Sequence, residues 1–530
     1  MNQLNVHLLH LPDEILLIIL KKLNNIDVLY SLLNIDNERL SILAQEKIFS
    51  NTLKFVSIDN ISSIDHHKID RFYIDILPRI HHNVKCFILE PVLMECILLA
   101  ADYPNLTELK LFNFEQKIAL NYFTNESPLR HIFQQQITEL ILGNRDRNDM
   151  IGSSKKYTTN VYGHILKFFK NLKHLTIIET FNPSYPRLSL HKLPPTTFSS
   201  STLTHLCINM YTLDDCLYLL DGRLKQLSSL IIGISYVDEF SSIVHNMDNL
   251  PNLKYFSLKC YVQINQYDNK ILPLLHRMSF LEKLTLYLRI KDRARFIDKT
   301  HLQNEILIYM PRLHSFTFYI STDHNTVDLF HDVPRQDNQR IVTNIGQQSM
   351  ANIIHYTSIN KAVYHIFSLP FVFDHLEDIG NIFTDTIFNY VTYLLVQDIF
   401  PFNHEFFIRI ARSFPLLNNL RIVNFQSQST CNLNTFSSDS SQSYSIAEYP
   451  YLTSLDVRTA AIDYAEQFLN ETKTYAPYLT ELTIHYRNLK MVTNDFTREE
   501  TRRSCAKVKR LIMIGTWVHS KDFYLYFPLL

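Results

Sequence analysis

The sequence predicts a repetitive α/β fold in which parallel strands alternate with helical return segments. Three observations predict it: an apolar-x-x-apolar-x-apolar hexamer occurs twelve times, most neighbouring copies start 24 to 35 residues apart, and six copies follow a proline two residues upstream. A recurrence at this interval is typical of a solenoid, in which each unit packs on its neighbours. The copies start at Leu106, Ile137, Leu172, Leu203, Leu227, Leu253, Leu281, Leu313, Leu417, Leu452, Leu479 and Val508.

The spacing within the hexamer favours a strand. Apolar residues at positions one, four and six do not share a helical face, because successive residues turn by about 100° around a helix axis. In an extended segment, positions four and six point to the same side, as a half-buried strand requires. The upstream prolines stop a preceding helix, because proline lacks an N–H and disfavours helix in the residue before it. Helices are accordingly predicted over residues 238–249, 402–414 and 461–472.

This pattern resembles the leucine-rich repeat, in its longer form with a helix on the convex side. The resemblance implies an α/β solenoid over residues 51–530 with a parallel sheet on its concave face. Further copies start at Leu53 and Val84, and weaker ones at Val363 and Val391. A polar insertion is expected near residues 321–360, where the period is lost, and a serine-rich loop near residues 426–445.

The N-terminal segment, residues 11–43, is predicted to form three helices. Pro12, Asp13 and Glu14 are typical of a helix start, Asp27 is expected to cap the second helix, and the third starts from Asn37. Residues 15–20 are six consecutive branched aliphatic residues, which surround a helix axis on all sides. Such a helix must be buried on two fronts, one being its own neighbouring helices and the other the repeats or a separate protein.

The string LPxEILxxILxxL with an Asp-led second helix resembles the F-box, a helical module that here spans residues 1–50. The resemblance implies docking onto the Skp adaptor of a cullin–RING ubiquitin ligase. The protein would then be the substrate-recognition subunit of that ligase, with an unidentified protein as the target. The adaptor-binding residues implied are Leu11, Pro12, Glu14, Ile15, Leu16, Ile18, Ile19, Leu23, Asp27, Leu29 and Leu32. The alternative is a leucine-rich-repeat interaction scaffold with no ubiquitin role, whose N-terminal helices only cap the first repeat.

Side chains at the third and fifth hexamer positions are expected to face outward from the strands, where a target would bind. Their charges are mixed, so the face does not favour a simply basic or acidic ligand. The candidates for target binding are His174, His205, Tyr255, Lys283, Asn419, Arg421, Asp456 and Glu481.

Composition and motifs bound the other functions. The net charge of −1 gives no indication of a nucleic-acid or membrane partner, and no apolar run approaches the ~20 residues of a membrane span. Seven cysteines without a CxxC pair favour a reduced intracellular compartment, cytoplasmic, nuclear or both. The eight glycines form no GxG, and GxSxG, HExxH and DFG are absent from the sequence. We therefore expect a protein that is not an enzyme and that needs no cofactor or metal.

Overall fold

The computed structural model describes residues 8–33, 35–56, 66–144, 154–179, 186–236, 248–293, 295–325, 339–343, 346–358, 361–384, 386–428, 445–516 and 521–530. The fold is mixed α/β with a large and mostly parallel β-structure. The chain divides into two compact units, Met1–Val262 with Arg277–Leu281 and Gln263–His276 with Glu282–Leu530. The N-terminal helices, predicted as a domain of residues 1–50, belong to the first unit.

Four helices open the first unit: α1 (Asp13–Leu20), α2 (Asn25–Leu32), α3 (Glu38–Ala44) and α4 (Lys47–Ser50). Eight strands then pair in chain order, each parallel to the next. They are β1 (Thr52–Phe55), β2 (Cys86–Leu89), β3 (Glu108–Phe114), β4 (Glu139–Asn144), β5 (His174–Glu179), β6 (His205–Met210), β7 (Ser229–Ile234) and β8 (Tyr255–Ile264). The helical segments described between them are His66–Arg71, Phe72–Ile76, Leu77–Ile80, His81–Asn83, Pro91–Leu93, Met94–Leu98, Gln116–Tyr122, Ile132–Gln136, Ser154–Tyr157, Thr158–Tyr162, Gly163–Phe168, Pro195–Thr197 and Leu213–Leu219.

The second unit contains both parallel and antiparallel strands. Strand β9 (Lys283–Ile290) is parallel to β10 (Ser315–Asn325). Antiparallel pairing then joins β10 to β13 (Lys361–Ser368), β13 to β12 (Gly346–Ser358), and β12 to β11 (Gln339–Thr343).

The remaining strands are β14 (His375–Ile379), β15 (Tyr393–Gln397), β16 (Asn419–Asn424), β17 (Ala447–Glu448), β18 (Ser454–Ala460), β19 (Thr474–Tyr475), β20 (Glu481–His485) and β21 (Arg510–Ile514). Six of them form a parallel sheet in the order β14-β15-β16-β18-β20-β21, and the short strands β17 and β19 pair separately. The helical segments of this unit are Tyr267–Ile271, Leu272–His276, Lys299–His301, Leu302–Ile306, Leu307–Tyr309, His404–Ser413, Ile462–Leu469, Tyr486–Val492, Glu499–Cys505 and Lys521–Tyr526.

The hexamer is a strand, as the spacing predicts. In all twelve main copies the strand begins at the third hexamer residue, as Glu108 does in β3. The first residue of every copy is buried, and the fourth and sixth residues are buried in eleven of the twelve. In the last copy Leu511 and Met513 are half-exposed. The helices predicted over residues 402–414 and 461–472 are also confirmed, as His404–Ser413 and Ile462–Leu469, whereas residues 238–247 lie outside the described part of the chain.

One expectation for the middle of the chain is wrong. The copy predicted at Val363 lies in β13, which runs antiparallel to its neighbours and is not a repeat of the parallel array. The described residues of the expected polar insertion, 321–360, all lie in the strands β10, β11 and β12. Polar side chains such as Thr322, Asn352 and His355 point into the core there, which hides the apolar alternation from a sequence search. Most of the serine-rich loop, residues 429–444, lies outside the described residues.

One strand of the six-stranded parallel sheet, β14, was not predicted. Its segment fits the hexamer from Phe373, since Phe373 and Leu376 are buried at positions one and four, but position six is Asp378. Asp378 is 8% exposed, and its Oδ2 forms an ion pair with Nη2 of Arg289 at 2.7 Å. A charged residue thus occupies a core position because it has a buried counter-charge.

Arg289 and two histidines form a buried polar cluster with β14. Nη1 of Arg289 also contacts Glu377 at 2.6 Å, and these two carboxylates outweigh burial, so the pKa of Arg289 is raised. His365 lies 2.9 Å from the Tyr319 hydroxyl and 3.0 Å from the Asp378 carbonyl oxygen, and its ring stacks on that of His355. Burial lowers the pKa of His355 to about 4 and that of His365 well below its ordinary value. Both rings are therefore neutral at neutral pH.

We predict that Asp378→Asn lowers the free energy of unfolding by about 2–3 kcal/mol, because Arg289 loses one of two counter-charges in a buried site. The amide keeps the size of the side chain and tolerates the positive φ of 58° at this position. Asp268→Asn is the matched control, since its ion pair with Arg293 is half-exposed and contributes at most about 1 kcal/mol. Denaturant titration measures both variants, and equal losses would contradict a special role for Asp378.

We predict that the protein loses stability as the pH falls from about 6.5 toward 4, partly through His355. Its pKa is lower in the folded than in the unfolded state, so the unfolded chain takes up a proton in this window that the native chain does not. The loss of unfolding free energy that is due to His355 reaches about 3 kcal/mol near pH 4, and there is no such loss above pH 6.5. His355→Phe should flatten this part of the profile in denaturant titrations between pH 7 and 4, whereas replacement of the exposed His131 by Phe should leave it unchanged.

Candidate functional site

Helix α1 has a fixed start. Pro12 precedes its first residue, and Asp13 and Glu14 lie in its first turn, where negative charge is favourable. Arg39 on α3 donates to Asp13 Oδ1 at 2.7 Å and to the carbonyl oxygens of Leu9 and Leu11 at 2.7 and 2.6 Å. These bonds hold the chain that enters α1 against α3.

The aliphatic residues of α1 separate into two faces. Leu16 and Leu20, four residues apart, are 1% and 8% exposed and pack inside the chain. Ile15, Ile18 and Ile19 lie on the other side, and 43%, 55% and 38% of their surfaces are exposed. Residues three and four apart share a helical face, so these isoleucines form one apolar strip. We call Ile15, Ile18 and Ile19 the isoleucine strip.

The remaining predicted adaptor residues divide between surface and core. Leu23, Pro12, Glu14 and Asp27 are exposed, and Leu11 and Leu32 are half-exposed. Leu16 and Leu29 do not face outward, because both are buried. Asp27 does not cap α2: that helix starts earlier, and the side chain of Asn24 accepts the capping bond from the Ile26 N–H. Asn37 caps α3, as expected.

The inner side of the helices contacts the start of the first unit's sheet. Asn25 donates its amide to the carbonyl oxygen of Thr52, the first residue of β1, at 3.3 Å. Tyr30 stacks on Phe72, and the Arg71 guanidinium lies 4.5 Å from the Tyr30 ring centroid while donating to the Leu33 carbonyl oxygen. The inner side of the N-terminal helices is thus buried within the chain, as expected. The isoleucine strip lies on the outer, exposed side, where a separate protein could bind.

In the first unit, two of the candidate target-binding residues come together. His174 on β5 and His205 on β6 are cross-strand partners with ring centroids 4.2 Å apart, and Glu139 on β4 lies 3.5 Å from His174 Nδ1. Burial, and after it the neighbouring His174, lowers the pKa of His205. Tyr255 is half-exposed on β8, two strands beyond β6.

In the second unit, Arg421 on β16 and Asp456 on β18 are in register, with Arg421 Nε 3.6 Å from Asp456 Oδ2. Arg458, which the sequence analysis did not single out, pairs with the same carboxylate at 2.9 Å. Asn419 and Glu481 lie one strand to either side of Ser454, and Lys283 is exposed on β9.

His375 on β14 and Tyr393 on β15 were also absent from the predicted target-binding residues. Their rings stack in parallel, with centroids 4.2 Å apart. Both are third residues of hexamers that the search had missed or ranked as weak. A search that tolerates a charged sixth position would have found His375.

Two properties of the described residues bear on the chemistry. No group of three or more His, Cys, Asp or Glu side chains is arranged to hold a metal ion in the part of the chain that the structure describes. Across the same residues, no helix combines the length and apolarity that a membrane span needs.

No family model matches the chain, and no curated protein is significantly similar to it.

We predict that the two faces of α1 respond differently to polar substitution. Leu16→Ser should lower the free energy of unfolding by roughly 2–5 kcal/mol, because it removes buried apolar surface and adds a hydroxyl to the core. Ile18→Ser should change it by less than about 1 kcal/mol, because its side chain is already more than half exposed. Denaturant titration at neutral pH compares the two, and an equally large loss from Ile18→Ser would show that the isoleucine strip is covered in the free protein.

Proposed function

We propose that this protein is the substrate-recognition subunit of a Skp–cullin–F-box ubiquitin ligase. Helices α1 to α3 would dock onto the Skp adaptor, which connects to the cullin–RING core. The strands and their return segments would form a leucine-rich-repeat-like solenoid that holds a protein target. Ubiquitin transfer would then depend on proximity, because a target held near the charged ubiquitin-conjugating enzyme reacts as if intramolecularly. The chain itself would supply no nucleophile, base or cofactor.

The exposed isoleucine strip is the observation that carries this proposal. Three isoleucines lie on one face of a short helix, and each is more than a third exposed. Covering this apolar surface with a partner would be favourable through the hydrophobic effect. The strip coincides with the apolar positions of the F-box-like string, and Pro12 and Glu14 of that string are exposed beside it in the sequence. Arg39 holds the chain before α1 in place through its hydrogen bonds to the carbonyl oxygens of Leu9 and Leu11. This favours docking, because a pre-organised surface loses less conformational entropy on binding.

Target recognition is proposed for the outward-facing third and fifth hexamer positions. His174 with His205 offers paired imidazoles in the first unit, and Arg421 with Asp456 offers a charged pair in the second. Tyr255, Lys283, Asn419 and Glu481 add aromatic and polar groups that are half-exposed or exposed. Such mixed groups suit a protein surface of mixed charge. The proposed place of action is the cytoplasm, the nucleus or both.

The second candidate function is an interaction scaffold without a ubiquitin role. It is favoured by the contacts of α2 with β1 and with Phe72, which are those of a cap over the end of an array. Capping alone, however, gives no reason for isoleucines on the outer side of α1. The two functions therefore differ in whether the isoleucine strip has a partner.

We predict that the full chain expressed in cells of its source co-purifies with a Skp adaptor and a cullin, and that Ile15→Ser with Ile18→Ser and Ile19→Ser reduces both by about ten-fold or more. The reduction follows from the loss of apolar contact at three adjacent side chains. Quantitative mass spectrometry of the captured material is the measurement.

The matched control replaces three other exposed apolar residues of the first unit, Ile74, Val92 and Leu120, by serine. This control should retain adaptor and cullin at the wild-type level. Equal recovery of adaptor from the wild type and the strip variant, or no adaptor from either, would contradict the proposed function and leave the scaffold.

A further inference from the structure

The first unit contains a basic cavity that the proposed function does not use. Its volume is about 570 Å³, and it is formed by three chain segments that precede the neighbouring strands β5, β6 and β7. Lys167 and Lys170 come from the first segment, Ser199 and Ser201 from the second, and Arg223 and Lys225 from the third. Three consecutive repeats thus contribute to one site, since strands β5, β6 and β7 are adjacent in the sheet.

The charges around this cavity are one-sided. Four of its lining residues are cationic, and among the described residues that line it none is acidic. Lys167, Lys170 and Lys225 are exposed. The ammonium of Lys170 donates to the Lys167 carbonyl oxygen at 2.7 Å, which holds one cation at the rim. In a concave site with one sign of charge the potential is concentrated, and an anion is attracted.

Arg223 supplies a cation that is held in place. The left-handed turn at Gly222, with φ of 99°, precedes it, and its side chain is 1% exposed. Asp221 accepts from Nε at 3.0 Å and from Nη2 at 2.8 Å. The remaining terminal nitrogen, Nη1, is buried and has no hydrogen-bond partner. A buried N–H of a guanidinium without an acceptor is unfavourable, and an anion in the adjoining cavity would offset this through its field.

Three exposed lysines without a carboxylate in the cavity lining, and an arginine of which Asp221 occupies only two nitrogens, match a phosphate group better than a carboxylate. A phosphate dianion carries up to two negative charges and more acceptor oxygens, so it can engage several ammonium, guanidinium and hydroxyl donors at once. The cavity is also larger than a bare phosphate, which leaves room for the group to which the phosphate is attached. We propose that this cavity binds a phosphate group, carried either by a small molecule or by a phosphorylated side chain.

The proposal is tested by calorimetric titration of the full chain at fixed ionic strength with inorganic phosphate, sulfate, pyrophosphate and the peptide Ala-phosphoserine-Ala. The expected result is tighter binding of pyrophosphate or of the phosphopeptide than of inorganic phosphate or sulfate, because the cavity is larger than a bare oxyanion. Lys167→Gln with Lys225→Gln should weaken that binding by about ten-fold or more, because two charge-assisted contacts are lost. Both lysines are exposed, so thermal unfolding of this variant should match the wild type.

The matched control, Lys54→Gln with Lys509→Gln, removes the same charge from two exposed lysines outside the cavity and should bind like the wild type. Tighter binding of pyrophosphate than of the peptide would assign the site to a phosphorylated small molecule, and the reverse order to a phosphorylated protein. Absence of binding by every probe, or equal weakening in the control, would overturn the proposal. No adaptor or cullin takes part in this experiment, so its outcome is independent of the ligase proposal.

Discussion

The joint burial of the first, fourth and sixth hexamer residues is the constraint on which the rest of the structure depends. Leu106, Leu109 and Leu111 of one copy are all fully buried, and the same three positions are buried in ten further copies. Each buried aliphatic side chain stabilises the fold by roughly 1.5–3 kcal/mol. Because the period along a strand is two, burying positions four and six fixes positions three and five outward, and it fixes the register between neighbours. The cross-strand pairing of His174 with His205 follows from that register.

The parts of the chain that the sequence predicted are those where apolar spacing alone decides the structure. The strands, their parallel pairing and the helices at residues 404–413 and 462–469 fall in this class. The failures occur where polar residues take core positions. Asp378 interrupts the hexamer of β14 because Arg289 compensates it from β9, 89 residues earlier in the chain, and a local pattern does not contain such a partner. The antiparallel arrangement of β12 and β13 was missed for a related reason, since His355 and His365 occupy buried positions as neutral rings.

The candidate docking site was predictable in part. Six adjacent aliphatic residues indicated that α1 is covered on two sides, but the sequence could not decide which residues face which side. The structure separates the buried Leu16 and Leu20 from the exposed Ile15, Ile18 and Ile19. Arg39 was not anticipated, since it binds the carbonyl oxygens of Leu9 and Leu11, whose positions depend on the packed helices. Asn24 was missed although its cap on α2 is a local bond to Ile26 that the sequence pattern allows. The basic cavity was unpredictable because its cations come from two segments about 55 residues apart in the chain, which only the fold brings together.

The central claim is that the outer face of α1 is a docking surface for a second protein. Hydrogen–deuterium exchange of the full chain, with and without purified Skp adaptor, tests it most directly. Exchange should slow at the backbone amides of residues 13–32 when the adaptor is present, since covering α1 suppresses the local opening of these short helices. Amides of β16, far along the chain, should be unaffected. Unchanged exchange over residues 13–32 at saturating adaptor would contradict the claim.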